Sequence, residues 1–173
     1  MNWTELLKVE TESAYAVTEK LMAMVEEKTL GWKPATGSNW MTTGQLLKHL
    51  VESCGVCFRG FIKGEWPEVV DNVRDLPPEA QLPPAEMLPA VTSLDEAVRL
   101  LHRDKQLAVE MLSRCSEEEL AGKPAPAPWD PTGVVLGRRL LQMVEHMKQH
   151  KSQLFYYLKL QGKPVNTADL WGE

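Results

Sequence analysis

The sequence predicts an all-α fold, a bundle of four helices. Three observations predict it. Apolar residues recur every three or four positions in four long stretches, capping residues stand ahead of those stretches, and no segment shows a convincing strand alternation. Four amphipathic helices of similar length bury their stripes most simply against one another.

The first helix is expected over about 3–28. Trp3, Leu6, Leu7, Ala14, Val17, Leu21, Met24 and Val25 form its stripe, and Asn2 or Thr4 can cap it. Gly31, Pro34 and Gly37 then break the pattern. The second helix should start at Thr42 or Thr43 and close at Gly60 or Gly64. Its stripe reads Leu46, His49, Leu50, Ser53, Val56 and Cys57, so a histidine occupies a core position. A long connection over about 61–91 holds Pro67, Pro77, Pro78, Pro83, Pro84 and Pro89. Proline lacks a backbone donor and fixes φ, which excludes a helix interior there. Long connections of this kind often line or cover a site.

The third helix has a clear start, because Ser93 and Glu96 fit a capping box. Leu94, Ala97, Val98, Leu101, Leu107 or Ala108, Met111 and Leu112 carry it to about Cys115. A second loop holds Pro124, Pro126, Pro128 and Pro131. The fourth helix is expected over about 132–161, with Leu136, Leu140, Met143, Met147, Leu154 and Leu158 inside and Gly162 as its stop.

Composition narrows the function classes. At 173 residues and 43% hydrophobic content, the chain can bury a core as one domain without staples. A net charge of −5 and scattered lysines argue against nucleic acid as a partner. No stretch reaches the roughly 18 apolar residues of a membrane span. The start lacks the basic and apolar regions of a secretion signal. Three cysteines do not suggest a disulfide framework. Together these point to a cytoplasmic protein.

The chemistry lies in the histidines. His146 and His150 are four residues apart, about 40° around the helix axis and one turn along it. Two such imidazoles can reach one metal ion. A third ligand must come from elsewhere, and His49 on the inner stripe of the second helix is the candidate. Taken singly, each histidine reads first as a surface or half-buried packing residue; three on inward faces, two of them four residues apart, make a metal site as good a reading. His102, beside Arg103 and Asp104, reads as a surface residue.

Carboxylates and thiols also stand near this set in the sequence. Glu52, three residues after His49, is the better-placed carboxylate for a general base, but a solvated face or a salt bridge is the role it suits first. Glu10 lies about 27 Å from the turn between helices one and two, against about 10 Å for His49, which removes it from contact with the metal. Glu145 points about 100° away from His146. Cys54 and Cys57 form a CxxC. It falls within the second helix rather than opening one after a strand, so packing is the expected role. Trp40, Trp66, Trp129 and Trp171 fall in predicted loops or the tail, where they line a pocket or cover the bundle ends. Tyr157 is expected in the core.

The order of these motifs resembles the DinB superfamily. The carrying residues are Trp32-Lys33-Pro34, Leu46-Leu47-Lys48-His49-Leu50, and the closing run His146, His150, Gln153-Leu154, Tyr157-Leu158 and Gly162-Lys163-Pro164. The resemblance spans nearly the whole chain and implies one DinB-like domain over 1–173. It implies an up-down-down-up arrangement, which the long Pro-rich connection between helices two and three permits. It also implies a divalent metal held by His49, His146 and His150 with open positions, a site that zinc or nickel would suit. Relatives include transferases that join a low-molecular-weight thiol to an electrophile, and family members are often homodimers. A metal-binding stress or interaction protein without turnover, and a metal-dependent hydrolase, are the alternatives.

Overall fold

A computed structural model describes residues 2–67 and 83–172. Its elements are helical: α1 (Trp3–Met22), α2 (Thr43–Leu50), α3 (Gly55–Lys63), α4 (Leu94–Ser113), α5 (Glu117–Gly122), α6 (Leu136–Leu160) and α7 (Thr167–Trp171). Short 3-10 turns occupy Glu27–Thr29 and Ala85–Met87. Among the described residues there is no strand, only two isolated bridges in the loop before α6. No described helix is long and apolar enough to cross a membrane. Pro77 and Pro78, in the middle of the predicted Pro-rich connection, lie outside the described residues.

Local capping starts α1 and α2 where the sequence places them. Asn2 accepts the amide of Glu5, and Glu5 accepts the amide of Asn2. Thr42 and Gln45 exchange the same pair of bonds ahead of α2. At α4 the expected box forms only by half. Ser93 accepts the Glu96 amide, but the Glu96 carboxylate turns to the amide and hydroxyl of Thr92. α1 ends at Met22 rather than near residue 28. Val25 is still buried beyond that point, which explains why the apolar spacing reads as continuing helix.

The predicted second helix is two helices, with a break between Leu50 and Gly55. The cause lies in α4. Asp104 is buried and places its carboxylate at the start of α3, accepting the amides of Gly55 at 3.0 Å and Val56 at 2.9 Å. The hydroxyl of Tyr15 on α1 donates to the same carboxylate at 2.6 Å. Backbone amides at a helix start need acceptors, and Cys54 at the cap position supplies none from its side chain. Only glycine fits at position 55, because a Cβ there would stand 2.1 Å from the Asp104 carbonyl oxygen.

Two short helices escape the sequence reading. Ser116 and Glu119 form a capping box for α5, and Asn166 and Asp169 form one for α7. α6 begins at Leu136, later than expected. The residues ahead of it pair with the loop instead, through Ala125 to Val134 and Leu136 to Lys123. Arg139, almost fully buried, holds that loop in place. It donates to the Ala125 and Thr132 carbonyls, to Gln142, and to Asp130 at 3.1 Å. A buried guanidinium is tolerable only when its donors are met in this way.

The core is one connected set that includes Leu7, Leu21, Leu47, Leu50, Phe58, Leu101, Met111, Leu140, Met147 and Leu158. α1 lies against α4 and α6, and α3 lies against the same two helices from another side. α2 packs chiefly on α6, which brings the last turn of α2 to the middle of α6. That contact positions the histidines.

Candidate metal centre

His49 sits in the last turn of α2, and His146 and His150 lie one turn apart on α6. Their Nε2 atoms converge. The separations are 3.2 Å for His49 and His146, 3.1 Å for His49 and His150, and 2.9 Å for His146 and His150. Among the described residues these three form the one group of histidine, cysteine and acidic side chains whose ligand atoms all lie within 4.8 Å of one another. All three rings are half-buried, so the group is held by the core and still reached from outside.

Burial sets their charge. It pushes His49 down to about 3, with the neighbouring rings of His150 and His146 adding to the effect. It pushes His146 down to about 4, helped by His150. His150 is lowered by burial, against the opposing hydrogen bond to Gln153. Near neutral pH all three imidazoles are uncharged and carry free lone pairs.

The triangle of nitrogens fits a divalent ion. Three nitrogens about 2.0–2.1 Å from one ion, at angles of about 90–109°, stand about 2.8–3.4 Å apart. The three observed edges fall inside that range. The nitrogens cannot satisfy one another. Each edge needs one N–H facing one lone pair, and an odd ring cannot alternate donor and acceptor. A cation accepts all three lone pairs at once.

Behind His150 runs a chain of hydrogen-bonded groups that the sequence reading did not single out. His150 Nδ1 lies 3.0 Å from Gln153 Oε1, and Gln153 Nε2 lies 3.2 Å from the Tyr157 hydroxyl. That hydroxyl donates to the Met41 carbonyl at 2.9 Å. Tyr157 is buried, as expected, and the edges of Trp32 and Trp40 meet it at centroid distances of 5.2 and 6.4 Å. The available signal was spacing: positions 150, 153 and 157 share one helix face. Trp66 and Trp129 pack with Phe61 instead, and Trp171 is exposed on α7.

The carboxylates weighed from the sequence are engaged elsewhere. Glu52 is exposed and takes the Lys48 ammonium at 2.5 Å, so the structure does not bring it to the histidines. Glu10 pairs with Lys148 of α6. α1 ends at Met22, which puts Glu10 about 18 Å from that end rather than 27 Å. Its ion pair, and not its depth, keeps it occupied. Glu145 pairs with Arg138, and His102 is exposed beside Glu19 at 2.7 Å.

The cysteines also depart from the sequence reading. Cys54 caps α3, so the CxxC does open a helix. The surroundings nonetheless oppose a thiolate. Burial raises Cys54, and the negative charge of Asp104 raises it further. The same two causes push Cys57 up to about 12.

A family model for the DinB superfamily matches residues 10–154. That span contains all three histidines together with Asp104 and Gln153. Among curated proteins none matches the chain.

Proposed function

The chain belongs to the DinB superfamily, and on that premise we propose that it holds one divalent metal ion on His49, His146 and His150. We propose further that it is a metal-dependent enzyme resembling low-molecular-weight thiol S-transferases. The observation that carries this reading is the triangle of Nε2 atoms, with edges of 2.9–3.2 Å, on rings that burial keeps neutral.

Three imidazole donors suit zinc or nickel. When bound, such an ion supplies positive charge and open positions that favour the thiolate form of a small thiol. The chain supplies the rest. Half-burial of the histidines lets the core hold the rings while leaving them partly open to the outside. Hydrolysis would want a carboxylate as general base. Among the described residues no carboxylate joins the histidine group, since Glu52 is held by Lys48 and Glu10 by Lys148. That favours thiol transfer over hydrolysis.

The same reading carries a fold and a setting. The long helices form an up-down-down-up four-helix bundle in one domain over 1–173. Contacts between the helices support this. Trp3 packs on Gly137 and Glu10 meets Lys148, so α1 and α6 advance in the same direction. Gly44 meets Val91 and Gly55 meets Asp104, which pairs the α2–α3 run with α4 in the same sense. The protein is proposed to act as a cytoplasmic homodimer without nucleic acid or membrane partners.

Elemental analysis tests the metal. The wild type is expected to carry close to one equivalent, and His49→Ala to lose most of it. Equal metal in both removes His49 from the site. Activity is tested with metal-loaded protein, a generic electrophile, and glutathione, bacillithiol or mycothiol. Metal-dependent conjugation is expected with one of them. Bound metal without turnover on any thiol would instead favour a non-catalytic metal-binding protein.

A further inference from the structure

We infer that Gln153 and Tyr157 form a directional hydrogen-bond relay that fixes the tautomer of His150 and aims its Nε2 lone pair at His49 and His146. Its use depends on the metal reading above, but the tautomer itself can be observed without a metal.

The polarity of every link follows from the one before it. A backbone carbonyl has no hydrogen to give, so the Tyr157 hydroxyl must donate to Met41 across the 2.9 Å contact. That spends the single phenolic proton. The group facing the phenolic oxygen from α6 must then be a donor, which makes it the Nε2 amide of Gln153 at 3.2 Å. An amide with its nitrogen toward Tyr157 turns its oxygen toward His150. At 3.0 Å that oxygen can only accept, so His150 Nδ1 carries the proton. A neutral ring with its proton on Nδ1 has its lone pair on Nε2, the atom that meets the other two histidines.

Packing holds the relay in this form. Gln153 is half-buried and Tyr157 almost fully buried, with Trp32 and Trp40 edge-on to the phenol ring. Among the described residues His150 is the one member of the triad whose Nδ1 has a hydrogen-bond partner. The far end of the relay is also placed. Met41 directly precedes Thr42, the cap of the helix that carries His49. The relay therefore ties the orientation of one ring on α6 to the start of the helix that delivers another. Gln153 and Tyr157 are positioning residues: they act on the centre through His150. Groups of this kind, behind a histidine ligand, typically govern 10–100-fold in metal affinity (roughly).

Two measurements on the full-length chain test this. Long-range 1H–15N spectra of the imidazoles report which nitrogen of His150 is protonated in zinc-free protein. Calorimetry with zinc reports affinity. The variants are Gln153→Leu, Gln153→Glu and Tyr157→Phe, each checked for a wild-type circular dichroism spectrum. The wild type is expected to show the proton on Nδ1. Gln153→Leu should lose that preference and bind zinc about 10–100-fold more weakly. Gln153→Glu, whose carboxylate still accepts from Nδ1, should keep both properties. Tyr157→Phe should weaken the preference, because it frees the amide to turn. A wild-type proton on Nε2 overturns the relay. Unchanged zinc affinity in Gln153→Leu overturns its positioning role. Should the wild type show the Nδ1 proton yet bind no zinc, the metal reading falls and the positioning role with it, while the tautomer assignment stands.

Discussion

Cys54 and Cys57 occupy the first turn of α3, where exposed amides ordinarily lower a thiol's pKa. Here the Asp104 carboxylate already takes the Gly55 and Val56 amides and brings a negative charge. Burial adds to that charge, and the two outweigh the helix end: Cys57 is pushed up to about 12. At pH 8 a thiol near 12 holds about a thousandfold less thiolate than one at its ordinary value near 9. Iodoacetamide at pH 8 should therefore leave both cysteines of the native protein unlabelled over the time in which denatured protein reacts fully. Mass spectrometry after digestion reads the result. Rapid native labelling of Cys57 would return the CxxC to consideration as a redox pair. The histidines follow the same rule with the opposite sign of charge. Burial removes their protons and leaves the lone pairs that a metal needs.

Three helix starts in this protein also draw acceptors from distant parts of the chain. Asp104 of α4 serves α3. Glu117 of α5 takes the amides of Trp3 and Thr4 at the start of α1, and Glu27 takes the amide of Leu94 at the start of α4. In each case a carboxylate meets the positive end of a helix dipole and fixes one helix against another. Asp104 gives the sharpest test because it is buried. Its removal leaves two amides and the Tyr15 hydroxyl without their acceptor, and each unmet buried donor costs about 1–3 kcal/mol. Asp104→Ala should lower stability by about 2–4 kcal/mol, measured by urea unfolding, and Asp104→Asn by less. A loss under about 0.5 kcal/mol for the alanine variant would mean that the break between α2 and α3 does not need this cap.

At the scale of the molecule, the C-terminal tail is fastened across the bundle by lysines. Lys151 donates to the Leu170 carbonyl at 2.7 Å and Lys20 to the Gly172 carbonyl at 2.9 Å, at the negative end of α7. Lys163 pairs with Glu26, which also meets Lys28 at 2.8 Å. These hydrogen bonds and charges, Lys163 first, hold Glu26 down to about 2, against an ordinary 4.5. A carboxyl lowered in the folded state adds stability above its unfolded pKa and loses it as pH falls through the folded one. Thermal midpoints of wild type and Glu26→Gln should thus differ by a constant amount above about pH 5. The gap should close as pH falls from about 4.5 to about 2, and shrink in high salt because the pair is exposed. A gap that widens on acidification would exclude the clamp as a source of stability.

The arrival of His49 at His146, 97 residues away, rests on the packing of α2 against α6. The helical class, the starts of α1, α2 and α4, and the shared helix face of His146 and His150 were legible in the sequence alone. Each depends on residues within a turn or two of one another, such as Asn2 with Glu5 or His146 with His150. The surface pair of Lys48 and Glu52 was legible in the same way, from its four-residue spacing. The capping boxes ahead of α5 and α7 were also present, but helices of six and five residues are too short to show a stripe. Tertiary structure alone decided the break at Cys54, because the carboxylate that caps α3 stands about fifty residues further along the chain. It alone decided that Glu10 faces Lys148, and which way Gln153 points, since the Met41 carbonyl that sets that direction comes from another element. Backbone periodicity records what a residue's near neighbours require. The direction of a hydrogen bond and the burial of a charge depend on groups that only packing brings together.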